Sequence, residues 1–523
     1  MKTLPTSYRT LQRRCPMKAK TLGFAAVSLL LLGIFLLGST TSPFASSSKH
    51  SSSHSTRRTL IGKQEDAAME LVDGQDFTQE DSQEDQESFY KPWIEQDFAV
   101  WGKDGIKQSL VAEMAMRYRE CFGEVFRFQI INGTLWVDHI SERHGGWYPS
   151  QDGEGNLAAK GKIPYAILTL MDVLRAHPGQ VPDLDALIQT SDFPCMLRIQ
   201  PGTGALAPPI FGYNSHEKFV DIPFPDYSYW GHEYRRLLGW DGQPAHGWEK
   251  QFSFLTEKYR DLDLNDRKPL VIWRGRTEDR EYPKRDELRR QFARCADELR
   301  GQGLEEEANV FSLKKPVVQL HDLCDYRYLM YIEADAWATN LKQKLACGSV
   351  LMSAKMDFYE FFTRALEPNV HYVEVDTHDM CHDTARKVLT MNQAFAEERR
   401  GISTMDTSSR HLLGQRQNAT VAPWNVARAG HQFLSEHLRM KDVRMYVRDA
   451  LRQYASLQSF TPQASWNAEC YTGDRLLEEF GFPYAADRAT VAKAYPWLAE
   501  YGKKECEGRL PRREVEKDEF YEA

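Results

Sequence analysis

Apolar and polar residues begin to alternate regularly near Phe89, and from there the period switches repeatedly between two and about 3.6. Residues 125–130 alternate, Asn132-Gly133 supplies a two-residue hairpin turn, and 134–137 return. Ile163, Ile167, Leu170, Met171 and Leu174 share one helical face, which His177-Pro178-Gly179 closes. A strand is predicted over 187–190, running into Ser191-Asp192-Phe193-Pro194. Another over 269–273 ends in Arg274-Gly275-Arg276-Thr277 and precedes a charged helix from about 284 to 300. A strand over 328–332 leads into an acidic, Ala-rich turn, a helical stretch and Cys347-Gly348-Ser349. Short strands at 350–352 and 371–375 flank a predicted helix around 358–366, and an amphipathic helix covers 443–457. No internal repeat interrupts this order. Strands and helices alternating at these lengths predict an α/β protein with parallel sheets and crossover helices, two sheets in all, divided near residue 250.

The first 88 residues follow a different pattern. Residues 22–37 are apolar apart from Ser28, extending through small residues to about Thr40, at the short end of a membrane span. Arg9, Arg13, Arg14, Lys18 and Lys20 precede this stretch, and no base follows until Lys49. That asymmetry predicts a signal anchor with a cytosolic tail (1–20), a transmembrane helix (21–40) and a luminal body, the alternative being a cleaved signal peptide. Residues 41–88 are Ser-rich and then acidic, with too little apolar surface to fold, and are expected to form a disordered stem. A short span suits the thinner membranes of the early secretory pathway, so the expected location is the endoplasmic reticulum or Golgi membrane.

Charge and cysteine content refine this picture. Ten acids and no base lie between Glu65 and Glu87, and setting them aside turns the net charge from −8 to +2. No basic face for nucleic acid remains. Of nine cysteines, Cys15 falls in the tail and eight fall in the luminal part, where disulfides persist. No Cys/His group has zinc spacing, so no metal is predicted. Asn132-Gly133-Thr134 and Asn418-Ala419-Thr420 are sequons, making Asn132 and Asn418 candidate N-glycosylation sites in a lumen.

Ligands of open α/β sheets collect at the carboxyl ends of strands, which singles out two loops. Asp192 is either a turn former bonded to nearby backbone or a base facing a cleft. In the segment from Arg274 to Arg280, Gly275 lets the backbone approach a ligand and the arginines suit a diphosphate, the alternative being a solvated charged loop.

Several short motifs then occur in one order. They are Asp192-Phe193-Pro194, the run Phe224-Pro225-Asp226-Tyr227-Ser228-Tyr229-Trp230, Trp273-Arg274-Gly275, and Tyr326-x-Tyr328-Leu329 with its acidic–Trp turn. Lys344-Leu345-Ala346-Cys347-Gly348-Ser349, Phe361-Phe362, Leu366, Pro368 and His371-Tyr372 follow, then the helix over 437–454. From about residue 126 to 457 the chain resembles glycosyltransferase family 90, which includes protein O-glucosyltransferases of secretory compartments and fungal capsule xylosyltransferases. The resemblance implies a GT-B-like fold of two Rossmann-like domains facing across a cleft. The acceptor-side domain would occupy 89–250 and the UDP-sugar domain 251–435, with C-terminal helices and a tail over 436–523. It implies inverting transfer of glucose or xylose from a UDP-sugar to a protein or glycan hydroxyl, with no cofactor and no metal. Carried over by position, Asp192 matches the catalytic base. Arg274, Gly275, Arg276, Thr277 and Arg280, with Glu333, Asp335, Trp337, Ala338, Thr339 and Asn340, match the donor contacts, although a core tryptophan is an equal reading of Trp337. Tyr229 and Trp230 fall on the acceptor side, and the family pairs the positions of Cys324 and Cys347, the alternative being two free thiols.

The departures bear on function. Animal O-glucosyltransferases carry an arginine where this chain has Asn340, and Gly231-His232-Glu233-Tyr234 leaves their pattern for a folded peptide acceptor. A catalytically inactive relative that binds sugar or protein is therefore a competing expectation. A glycoside hydrolase would need two facing carboxylates, and only one is well placed.

Overall fold

The computed structural model describes residues 87–117, 121, 124–140, 162–198, 207–231, 247–260, 262–277, 287–313, 318–334, 336–400, 422–465, 467–480 and 488–508. The expected tail and span, nearly all of the stem, Cys15, Arg280, Asp335 and Asn418 lie outside the described residues. Among the described residues no helix is long and apolar enough to cross a membrane.

Helices α1 (Lys91–Phe98) and α2 (Gln108–Met116) lead into β1 (Val125–Ile131) and β2 (Thr134–Asp138). Asn132 and Gly133 turn this hairpin with φ of 51° and 72°, the left-handed pair that matches strand twist. Helix α3 (Ile163–Ala176) crosses to β3 (Leu184–Gln189), and β4 (Phe211–Gly212), β5 (Ser215–His216) and β6 (Ile222–Pro223) follow. After a 3₁₀ turn at Tyr227–Trp230, helix α4 (Trp248–Tyr259) leads to β7 (Lys268–Ile272). Helices α5 (Glu287–Gly301) and α6 (Glu305–Ala308) connect to β8 (Phe311–Ser312) and β9 (Tyr326–Tyr331). Then come α7 (Leu341–Ala346), β10 (Val350–Ala354), β11 (Phe358–Tyr359) and β12 (Val373–Val375). Helices α8 (Met380–Arg399), α9 (Pro423–His437) and α10 (Met440–Leu457), strand β13 (Glu469–Cys470), α11 (Gly473–Glu479) and α12 (Arg488–Ala494) complete the chain.

Two main sheets result, as the pattern predicts, but only one is parallel throughout. The second runs β12-β10-β9-β7-β8 with every pair parallel. Its central strand β9 is buried on both faces: Leu329 and Tyr331 enter one core, Tyr328 and Met330 the other. The first sheet runs β13-β2-β1-β3-β4-β6 and is mixed, antiparallel from β13 to β3 and parallel only beyond it. This corrects the expectation of two parallel sheets: alternation reports which face is buried, whereas strand direction depends on the length of the connection. The predicted helix at 358–366 is also absent. Phe358 and Tyr359 pair instead with His216 and Ser215, and only Thr363–Ala365 forms a 3₁₀ turn. Their pairing captures the backbone that a helix would have used.

The small β5–β11 ribbon joins the segments that carry the two sheets. Helix α10 returns over the first sheet, where the Tyr446 hydroxyl donates to the Pro223 carbonyl at 2.7 Å and Tyr454 to that of Asp185 at 2.9 Å. Arg444 reaches Asp172 on α3 at 2.6 Å.

Four disulfides join Cys121 to Cys195, Cys295 to Cys381, Cys324 to Cys347 and Cys470 to Cys506. The Cys324–Cys347 bridge spans 23 residues and ties the start of β9 to the end of α7. Loop closure at this length contributes about 3 kcal/mol. Replacing both cysteines by alanine is expected to lower unfolding stability by about that amount in a denaturant titration; a loss below about 0.5 kcal/mol would show that the turn between them is held by other contacts.

Candidate active site

The loop after β3 is held by groups other than the Asp192 carboxylate. Gln189 accepts from the Ser191 amide at 2.6 Å, Ser191 Oγ accepts from the Phe193 amide at 3.0 Å, and Asn214 donates to the Asp192 carbonyl at 3.0 Å. Buried Asp221 accepts from the amides of Cys195 and Met196, both at 2.8 Å. Burial pushes the Asp221 carboxyl up to about 7, against these hydrogen bonds. The turn is therefore complete without the Asp192 side chain, which is 54% exposed and forms an ion pair with Lys162 at 2.6 Å through Oδ1. Of the two sequence readings of Asp192, the turn former finds no hydrogen bond here.

Contacts lead from Asp192 to the other sheet. Lys162 lies 4.7 Å over the Tyr227 ring, and its carbonyl accepts from the Tyr213 hydroxyl at 3.3 Å. Burial, with the charges of Asp226 and Asp192 adding to it, holds the Tyr213 phenol well above the ordinary range. The Tyr213 ring is 6.2 Å from that of Trp337. By a second route, Phe193 packs 5.5 Å from Phe358, whose amide donates to Glu333 Oε1 at 2.9 Å. Burial pushes the Glu333 carboxyl up to about 8. The Asp192 loop and the turn after β9 are thus neighbours, although 141 positions separate Asp192 from Glu333 in the chain.

That turn is built from within. The Tyr331 hydroxyl accepts from the Ala338 amide at 3.0 Å. Trp337 is buried, and its indole N–H has no hydrogen-bond partner; nor does Asn340 Oδ1 a few residues on. Arg289 of α5 donates to the carbonyls of Glu333 at 2.9 Å and Ile332 at 3.2 Å, and also to that of Arg276 at 3.4 Å. One guanidinium therefore fixes the ends of β7 and β9 together. Gly275 is needed where it stands, because a Cβ would come within 2.5 Å of the Trp273 ring. Arg276 is exposed, but Arg274 turns back to the carbonyl of Trp273 at 2.8 Å and to that of Ser312 at 2.5 Å. The sequence grouped these arginines; the structure gives Arg274 to the strand ends.

Tyr229 and Trp230, expected on the acceptor side, are buried instead. Trp230 Nε1 donates to Thr169 at 2.7 Å, and the Tyr229 ring faces Lys342 Nζ at 4.3 Å. Lys342 is fully buried, 3.6 Å from Asp226 and 4.0 Å from Glu360, and donates to the Thr339 carbonyl at 3.3 Å. It thereby binds the turn after β9 to a segment of the first half. Nearby, Gln343 donates to Gln251, which donates to the Ser228 carbonyl, at 3.0 and 3.1 Å. Lys162, Tyr213, Asn214, Asp221, Arg289 and this cluster were not foreseen. Of the cluster, Asp226, Ser228 and Tyr229 lay within a quoted motif and Thr339 was a donor candidate, whereas nothing local marks Lys342, Gln343, Gln251 and Glu360. Among the described residues, no group of three or more His, Cys, Asp or Glu could hold a metal ion.

Fold and site define a two-sheet α/β protein in which a loop bearing a half-exposed carboxylate is linked, through side chains of both halves, to a pinned turn of the other half. Residues 82–407 and 410–479 match the sequence pattern of Glycosyl transferase family 90, and the chain belongs to that family. It is similar to the O-glucosyltransferase rumi of Drosophila melanogaster, 25% identical over 54% of this chain and 62% of that protein. It is also similar to Protein O-glucosyltransferase 1 of Homo sapiens, 23% identical over 54% of this chain and 64% of that one. The chain thus spans a little over three-fifths of the length of these relatives. A solved structure of Anabaena Alr3699/HepE in complex with UDP and glucose aligns with 39% of this chain and 52% of its own. Its identity is 12% and its TM-score 0.22, a likeness too slight to define the fold.

Burial, opposed by Lys342 and reinforced by Asp226, pushes the Glu360 carboxyl up to about 8. A carboxyl raised above its unfolded value adds stability that is full below about 4.5 and is lost as pH rises through about 8. The Glu360→Gln variant cannot ionise. It is expected to gain stability relative to the parent between pH 5 and pH 8 in thermal melts, and a constant difference across that range would place a charged Glu360 in the fold.

Proposed function

We propose that the protein is a luminal, membrane-anchored O-glycosyltransferase. It moves glucose, or alternatively xylose, from a UDP-sugar to a protein or glycan hydroxyl with inversion and without a metal. The observation that supports this reading is the Asp192 carboxylate, not used by its own turn, on a loop that Phe193 and Phe358 link to Glu333 of the other half. In the proposed step the acceptor oxygen bonds to the anomeric carbon as the bond from that carbon to the UDP oxygen breaks. UDP leaves with the electron pair, and the acceptor proton passes to Asp192. Lys162 holds Oδ1, leaving Oδ2 to receive it. Family membership and the names of the O-glucosyltransferase relatives favour glucose. A GT-B arrangement, with the donor between the Arg276 loop and the turn after β9, fits the parallel sheet whose strand ends carry both. Placement in the Golgi or endoplasmic reticulum is supported by the basic tail before the apolar stretch and by eight cysteines joined in pairs.

The purified chain is expected to release UDP from one member of a UDP-sugar panel, UDP-glucose first, and faster with a hydroxyl acceptor present. Silence with every donor, together with retained sugar or protein binding, would identify an inactive binding relative. That outcome would follow if Asn340 fails to replace the arginine of the animal enzymes.

Asp192→Asn is expected to keep the fold and UDP affinity while transfer falls by about 10² to 10⁴, the usual contribution of a positioned base. Transfer near the parent rate would remove Asp192 from the chemistry.

A further inference from the structure

A cavity of ≈ 720 Å³ opens at the edge of the parallel sheet away from the loops described above. Its lining includes Arg267, immediately before β7, and Gly348, just before β10, and so marks the amino ends of these strands. The candidate donor residues lie beyond the carboxyl ends of β7 and β9, and none of them lines this cavity.

Arg267 sets the chemistry. It is 5% exposed, yet among the described residues no carboxylate stands within ion-pair distance. Nη1 donates to the Cys347 carbonyl at 2.8 Å and to Ser349 Oγ at 2.6 Å, while buried Nε has no partner. Burial lowers this guanidinium to about 10, against the more distant charges of Tyr259, Asp325 and Asp263. A buried cation without a counterion is costly, and an oxyanion accepting from its free edge would offset that cost. Exposed Arg260 and Arg428 stand on the cavity wall with His431, which contacts Thr256 at 3.1 Å. Three carboxylates also line it. Asp266 is paired with Arg399 at 2.7 Å, Asp263 accepts from the Asn265 amide at 2.9 Å, and Glu398 faces the opening from α8. Tyr259 and Trp424 add aromatic wall, and the volume suits a small organic molecule better than a bare ion.

We propose that this cavity is a second ligand site, separate from the donor site, which binds a small molecule through a phosphate or sulfate group held by Arg267, Arg260 and Arg428. Because Arg267 also grips Cys347, an occupied site would be in contact with the end of α7, whose other end begins at the Asn340 turn.

The test is calorimetric titration of the full-length chain, in phosphate-free buffer with saturating UDP, using inorganic phosphate, inorganic sulfate and glucose 6-phosphate as separate probes. Saturable binding of at least one probe is expected, and at least tenfold weaker binding in the Arg260→Ala/Arg428→Ala double variant. Both residues are exposed, so that variant keeps the fold, and its UDP affinity should equal the parent's. Tighter binding of glucose 6-phosphate assigns the cavity to a phosphate ester; tighter binding of inorganic phosphate or sulfate assigns it to the free anion. No saturable binding, binding abolished by UDP, or binding unchanged in the double variant would each overturn the site. A chain that takes phosphate but not UDP would retain this site and refute the donor reading instead.

Discussion

One buried ammonium holds the candidate site together. Lys342 is fully buried between Asp226 of the first half and Glu360 of the second, beneath the turn that carries Trp337 and Asn340. Burying a single charge is prohibitive, and removing one partner from a buried cluster commonly costs about 3–5 kcal/mol. Burial favours the protonated form of Glu360, which lowers the negative charge the cluster must hold. The arrangement contributes alignment more than affinity between the halves: the cation reaches both carboxylates only when the turn after β9 and the segment from Asp226 to Trp230 are in register. The Gln343–Gln251–Ser228 chain imposes the same condition with neutral groups.

Around this point the structure repeats one device, a side chain that ends a backbone it does not belong to. Arg289 closes the ends of β7 and β9, and Asp221 takes the two amides after Asp192. Tyr331 takes the amide of Ala338. The Asp192 carboxylate is not needed by its own turn, because Ser191, Gln189, Asn214 and Asp221 make it, and Arg274 serves the strand ends. A loop pinned by its neighbours is preorganised for a ligand, since little ordering remains to be done on binding.

What the sequence made legible was local. The Asn132-Gly133 turn, the apolar face of 163–174 and the strand ends at Asp192, Trp273 and Ile332 could be read because period and turn chemistry act over a few residues. The failures were contacts across the chain. Phe358 and Tyr359 were drawn into a strand by partners more than 140 positions away, and the antiparallel half of the first sheet leaves no trace in alternation. Lys342, at a helical position beside Leu341, resembles any surface lysine until Asp226 and Glu360 are placed next to it. Tyr229 and Trp230 were recognised as a motif, but their burial could not be read, because aromatic residues suit either a wall or a core.

The return of α10 over the first sheet has a consequence for synthesis. Domains emerging from the ribosome usually fold in order, N-terminal first. Here β3 and α3 are covered by Tyr454 and Arg444, and the edge of β2 is paired by Glu469 and Cys470. Residues of the first half therefore wait for residues made much later. Meanwhile their apolar faces and an open strand edge stand exposed to other chains. Cys121 and Cys195 can join early, whereas Cys470 can close its bridge only after Cys506 arrives. Completion of the first half thus waits for α10 and β13, and the amount of finished protein depends on how well that half is protected until they arrive.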